Sequence, residues 1–196
     1  MNNYIMVNGQ QIELTQDQVA QIVAAYTAGK RDLSSFAEGD VVKIGSHEMI
    51  VLEQDGDATV LICKNFISDD EEFGENNNYN GSNADDICNS FADIIKEKVG
   101  HENMVSFPVD LTADDGLKDY GSVIRYAALL TAALYRKYVH ILDKHKPESW
   151  WWLATPHSTP AHGNDSWVKC VSPSGYLVQP QLLQLHRRPP VLYLKI

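Results

Sequence analysis

The run Trp150-Trp151-Trp152 restricts this chain more than any other feature of it. Three consecutive indoles cannot share one face of a strand, because alternation sends Trp150 and Trp152 one way and Trp151 the other. Trp150–Ala154 therefore predicts a strand with at least one face in the core, which takes two of the three indoles. Whichever stays exposed is available for contact. A second tryptophan strand, Trp167–Val171, follows a loop that holds His157 and His162, and it is expected to pack beside the first across the sheet.

The remaining pattern consists of short β-branched runs, glycine-marked turns and two strong amphipathic stretches. Val7–Leu14 reads as a hairpin turning at Asn8-Gly9. Thr15 reads as the N-cap of a helix over Gln16–Thr27, with Val19, Ile22, Val23 and Tyr26 in one stripe. A helix of that length needs something to pack on, either the rest of the chain or another subunit. Residues 1–36 are thus expected to be a hairpin–helix appendage and a route to a homo-oligomer, with the main domain over 37–196. Asp40–Ile44, Glu48–Glu53 and Thr59–Lys64 predict a three-stranded meander. The acidic, Asn-rich stretch Ser68–Asn83 predicts a loop. Asn83 or Asp85 should cap a helix running to Val99, with Ile87, Phe91, Ile94 and Ile95 buried and Gly100 ending it. Val105–Leu111, Ala127–Thr131 and Val191–Lys195 read as extended, and Thr112–Gly121 as a loop. Ala132–Lys144 reads as a second helix with Leu134, Tyr135, Tyr138 and Ile141 inward, stopped by Pro147. The class is α+β, with a short, mostly antiparallel sheet and two main helices.

Charge narrows the partners. The 196 residues carry a net charge of −10, which argues against general nucleic-acid binding and against docking on anionic lipid. No run approaches the roughly 20 apolar residues needed to span a bilayer. No basic segment leads into an apolar core near Met1, so the expected location is cytoplasmic when made. Cys63, Cys88 and Cys170 are too few and too scattered for a disulfide framework and suggest a reducing compartment. The charge is also uneven: residues 1–135 sum to −15 and residues 136–196 to +5. The acidic part reads as a solvated face, or alternatively as an inhibitor surface that sequesters a basic patch on a host protein. The terminal part holds all four tryptophans and five of the seven histidines, and reads as a recognition surface.

Several segments then carry a resemblance. They are GDVVKIG at Gly39–Gly45, EMIVLE at Glu48–Glu53, VLICKN at Val60–Asn65 and LLTAALYRKY at Leu129–Tyr138. WWLATP at Trp151–Pro156, WVKCVSPSG at Trp167–Gly175 and PVLYLK at Pro190–Lys195 complete the series. Their order resembles an uncharacterised family of bacterial and phage domains whose usual ending is W-W-L-R-S-P, then G-V-R-P-V-L-x-L. That family is similar to the formylglycine-generating-enzyme-like branch of the C-type-lectin-like fold. The resemblance covers Phe36–Ile196. It implies a non-enzymatic binding module, encoded by a phage or mobile element and with virion association as an implied location, that meets a protein or glycan ligand through its late loops. The sulfatase-activating enzymes of that branch use a cysteine pair. Here Cys63 and Cys170 fall on strands and Cys88 on a helix, so the activity is not carried over.

The expected ligand-binding residues are Trp151, His157, His162, Trp167 and Tyr176. His157, His162 and Cys170 lack the spacing of a zinc site. Asp110, Asp114 and Asp115, or the Ser68–Glu75 loop, do not follow the calcium-loop pattern. Ser158, His157 and Asp165 lack a nucleophile elbow. No cofactor, metal or catalytic residue is expected. Leu177–Pro189 (LVQPQLLQLHRRP) departs from the family, whose members carry a Tyr/Asn-rich stretch there. Read one base later, the same codons permit W-Y-N-R-N-Y-Y-N-Y-T-G-V-R, joined directly to Pro190, which points to a compensated frameshift. The coding DNA decides it: a shifted frame without aromatic residues removes the idea.

Overall fold

The computed structural model describes residues 4–7, 10–21, 33–68, 72–145, 149–180 and 192–196. The chain divides into two compact units, Met1–Leu33 and Ser34–Ile196. In the first, β1 (Tyr4–Val7) and β2 (Gln10–Glu13) pair antiparallel with Val7 opposite Gln10. The hairpin begins earlier than expected, at Tyr4 rather than Val7, and the expected turn residues Asn8 and Gly9 lie outside the described residues. Helix α1, described over 16–21, opens with a capping box. Thr15 Oγ1 accepts from Gln18 N at 3.2 Å, and Gln18 Oε1 accepts from Thr15 N at 2.9 Å. The remainder of the expected helix, with Ile22, Val23 and Tyr26, lies outside the described residues.

The second unit is α+β. Strands β3 (Val41–Ile44), β4 (His47–Asp55) and β5 (Ala58–Cys63) form the expected antiparallel meander. Its first turn contains Gly45 at φ 60°, a left-handed conformation that a side chain would strain. Helix α2 (Asn83–Val99) follows the Asn-rich loop. Its N-cap is Ser82 rather than Asn83 or Asp85, since Ser82 Oγ accepts from Asp85 N at 3.1 Å. Asp85 instead turns inward: it is 1% exposed and takes a bidentate pair from Arg125, Nε to Oδ1 at 2.7 Å and Nη2 to Oδ2 at 2.6 Å. The buried stripe of α2 runs through Ala84, Cys88, Phe91, Ala92, Ile95 and Val99. Ile94, expected inward, is 45% exposed because it falls one position off the stripe that Ile95 occupies.

Strands β6 (Phe107–Asp110) and β7 (Ser122–Arg125) form a separate antiparallel pair around the Asp-rich loop, and β7 had no signal strong enough to predict it. Strand β8 (Ala127–Leu129) leads into α3 (Ala132–His145), which buries Tyr135, Tyr138, Ile141 and Leu142, while Leu134 is only half-buried. Strands β9 (Trp151–Pro156), β10 (Val168–Val171) and the two-residue β11 (Leu177–Val178) make a sheet of order β11-β10-β9. The terminal strand β12 (Leu192–Lys195) enters between β5 and β8, giving the order β3-β4-β5-β12-β8. Most of the anomalous stretch before it, 181–189, lies outside the described residues, as does Pro147.

All six residues of β9 are buried. Alternation works as the tryptophan run predicts: Trp151 meets Tyr135 of α3 edge-on at 5.6 Å, and Trp152 meets Phe73 of the opposite loop at 5.6 Å. Each indole has its own cover, and Trp150 is half-buried just ahead of the strand.

Candidate functional site

Beyond Pro156 the strand ends and three loops converge, 72–82, 111–121 and 157–167, with Ser158 and Thr159 still buried. Asn77, fully buried, joins them. Its Nδ2 donates to Ser158 O at 3.1 Å and to Trp167 O at 2.8 Å, and its Oδ1 accepts from Tyr120 Oη at 2.8 Å. Its backbone N–H donates to Asp165 O at 2.7 Å. Every polar atom of this amide side chain is therefore spent on holding neighbouring loops, the condition under which a buried polar group stabilises rather than penalises.

The Asp-rich loop is tied to the β9–β10 loop by its carboxylates. Asp115 Oδ2 accepts from Ser158 Oγ at 2.5 Å and lies 3.0 Å from His162 Nδ1. The Ser158 hydroxyl, and after it the imidazole, hold this carboxyl below the usual aspartate range. Asp119 Oδ2 accepts from Thr159 Oγ1 at 2.5 Å. Burial pushes Asp114 up, but Lys169 at 2.8 Å and Arg136 at 3.4 Å outweigh it, so its carboxyl also sits below the ordinary range. Lys169 is buried at the irregular pairing between β10 and β9, and this ion pair is what lets it sit there. Tyr120 is pushed up by burial and then by the nearby charges of Asp165 and Asp119.

Trp167 stands on this platform. Its backbone N–H donates to Asn164 Oδ1 at 3.1 Å, and its carbonyl accepts from both Asn77 and His157 N. The His157 ring stacks on the indole at 5.6 Å and 25°. The indole remains 38% exposed. His157 Nδ1 is buried and has no hydrogen-bond partner among the described residues, and the ring packs against the Trp167 indole.

No family model, curated protein or solved structure matches this chain. The site must be read from its own geometry.

Of the five expected ligand residues, His157 and Trp167 are stacked on each other, and His162 lies in the same loop against Asp115. Trp151 is corrected: it is 1% exposed beneath α3 and offers no surface, because the strand needs both its faces filled. Tyr176 is 71% exposed but follows the far end of β10, about 13 Å of strand from Trp167. Ser158, His157 and Asp165 are not assembled as a nucleophile and its base. The Ser158 hydroxyl and the His162 ring share one Asp115 oxygen, so no imidazole stands between serine and carboxylate. Among the described residues no group of three or more His, Cys, Asp or Glu side chains could hold a metal ion. All three cysteines are buried and none forms a disulfide, and burial pushes the Cys88 thiol up to about 12. No described helix is long and apolar enough to cross a membrane.

Asn77, Asp119 and Tyr120 were missed by sequence reading. Asn76-Asn77-Asn78 marks a turn-rich loop, but nothing in three adjacent asparagines says which one goes inside.

Proposed function

We propose that this chain is a non-enzymatic binding module that meets a protein or glycan ligand through the loop end formed by His157, His162 and Trp167. One observation carries the reading: an exposed indole whose backbone is fixed at both N–H and C=O, backed by a stacked imidazole. A rigid aromatic placed in advance of binding loses little entropy on contact, which is what makes tryptophan effective at interfaces. The motifs from Gly39 to Lys195 support a C-type-lectin-like, formylglycine-generating-enzyme-like fold of phage or mobile-element origin, in which late loops carry recognition. The acidic-inhibitor alternative is weakened at Asp114 and Asp115, because the chain's own Lys169, Arg136, Ser158 and His162 already engage them. The enzyme alternative has no cysteine pair to draw on.

The test is affinity capture from a host lysate with the wild-type chain, Trp167→Ala and Tyr176→Ala. Capture should be lost with Trp167→Ala and kept with Tyr176→Ala. Equal capture by the wild type and Trp167→Ala removes this surface.

A further inference from the structure

The loop end has a charge as well as a shape. Four aspartates surround it, and they divide into two kinds. Asp114 is matched by Lys169 and Arg136, and Asp115 lies against His162. Asp119 and Asp165 have only hydroxyl donors: Thr159 Oγ1 on Asp119 at 2.5 Å and Ser166 Oγ on Asp165 at 2.9 Å. Among the described residues neither has a cationic partner.

Their placement ties them to the exposed indole. Asp165 lies two residues before Trp167, and its carbonyl is held by Asn77 N. Asp119 adjoins Tyr120, whose hydroxyl bonds to Asn77, and Asn77 in turn holds the Trp167 carbonyl. Asp119 holds the Thr159 hydroxyl, the Thr159 carbonyl accepts from Asn164 N at 3.2 Å, and Asn164 Oδ1 accepts from Trp167 N at 3.1 Å, so Asp119 and Asp165 both belong to the loop end that carries the indole. An exposed, electron-rich indole and two uncompensated negative charges on one loop end attract a cation in two ways, by the ring quadrupole and by direct Coulomb attraction. The same charges repel carboxylate, phosphate and sulfate groups. A neutral polyol could use the carboxylates as acceptors but would leave their charge unmatched.

We infer that Trp167, Asp119 and Asp165 form a receptor for the guanidinium of an arginine on a partner protein. This deepens the binding-module reading and rests on it. Arginine fits better than lysine because its planar group stacks on an indole while its N–H fork reaches carboxylates at the edge. Recognition needs no metal, and no change in the loops that Asn77 already holds.

The test uses the full chain with oligoarginine, oligolysine, oligoglutamate and a maltooligosaccharide as probes, followed by calorimetry and by the Trp167 indole N–H resonance. Oligoarginine should bind more tightly than oligolysine, weaken as salt rises and shift that resonance. Trp167→Ala should weaken oligoarginine by about tenfold. Asp119→Asn and Asp165→Asn, which keep an acceptor for Thr159 and Ser166, should each weaken it as well. Glu97→Gln, on the solvent side of α2, serves as the control for the overall negative charge and should change nothing. Oligoarginine binding that ignores Trp167→Ala overturns the inference, and so does a Trp167 resonance that responds to the maltooligosaccharide and not to oligoarginine. If either occurs while lysate capture still depends on Trp167, the receptor falls and the binding surface stands. If capture is also indifferent to Trp167, both fall.

Discussion

Strand β9 and the loop end beyond it both depend on tryptophan, yet they are held by different forces. From Trp151 to Pro156 every side chain is buried, and the two indoles are covered from opposite sides by α3 and by the 72–82 loop. Past Pro156 Ser158 and Thr159 are still buried, but order comes from polar bonds: Asn77 to the two neighbouring loops, Asp115 to Ser158 and His162, Asp119 to Thr159. Apolar burial fixes β9 wherever a matching surface exists. The loop end is fixed only where each donor finds its acceptor, so it can leave an aromatic group exposed and still hold it in place. The comparison explains why a buried tryptophan and an exposed one belong to the same short stretch of chain.

The sharpest break is at the core indole. Trp152→Ala should cost about 3–5 kcal/mol of stability, read as a lowered denaturant midpoint, because it removes a large buried side chain and leaves a cavity. Trp167→Ala should cost less than about 1 kcal/mol by the same measurement. Similar losses for the two would show that Trp167 is a packing residue and not a surface one.

Next in size is Asn77→Ala, expected to cost about 2–3 kcal/mol by removing the side-chain partners of the Ser158 carbonyl and the Tyr120 hydroxyl and one of the two donors to the Trp167 carbonyl. Faster amide hydrogen exchange should be confined to 157–167 and 111–121, leaving β9 protected. Exchange that rises uniformly over both regions would mean that the loop end and the strand are a single cooperative unit.

The smallest effect concerns pH. Asp114 has a folded-state pKa below its unfolded value near 3.9, so its stabilising contribution is full above that value. The contribution is lost as pH falls through the ordinary aspartate range toward the depressed folded value. Asp114→Asn should therefore flatten the acid limb of a stability–pH curve and weaken stability at neutral pH, where Lys169 loses its partner. An unchanged acid limb would place the pH sensitivity of this region elsewhere, with Asp115 as the next group to examine.

Much of the fold was legible before the structure. The meander at β3–β5, the helices at Asn83–Val99 and Ala132–His145, and the tryptophan strand all announce themselves through periodicity and turn residues. The errors have physical causes. Ile94 was expected inward because isoleucine is apolar, but it falls one position, about 100° around the helix, off the stripe through Cys88, Phe91, Ile95 and Val99. Ser82 displaced Asn83 and Asp85 as cap because Asp85 was needed by Arg125, forty residues away in the sequence. Trp151 was proposed as a contact residue, and the strand turned out to need both of its faces filled.

The sequence by itself determined the meander, the two main helices and the tryptophan strand, and that Trp151 and Trp152 must point in opposite directions, since these follow from local periodicity and backbone geometry. Only the tertiary structure decided that Asn77 is the asparagine that goes inside and that Asp115 belongs with Ser158 and His162. It also decided that Asp114 is neutralised while Asp119 and Asp165 are not. Those outcomes depend on which donor meets which acceptor across distant loops, and composition and periodicity carry no information about that pairing.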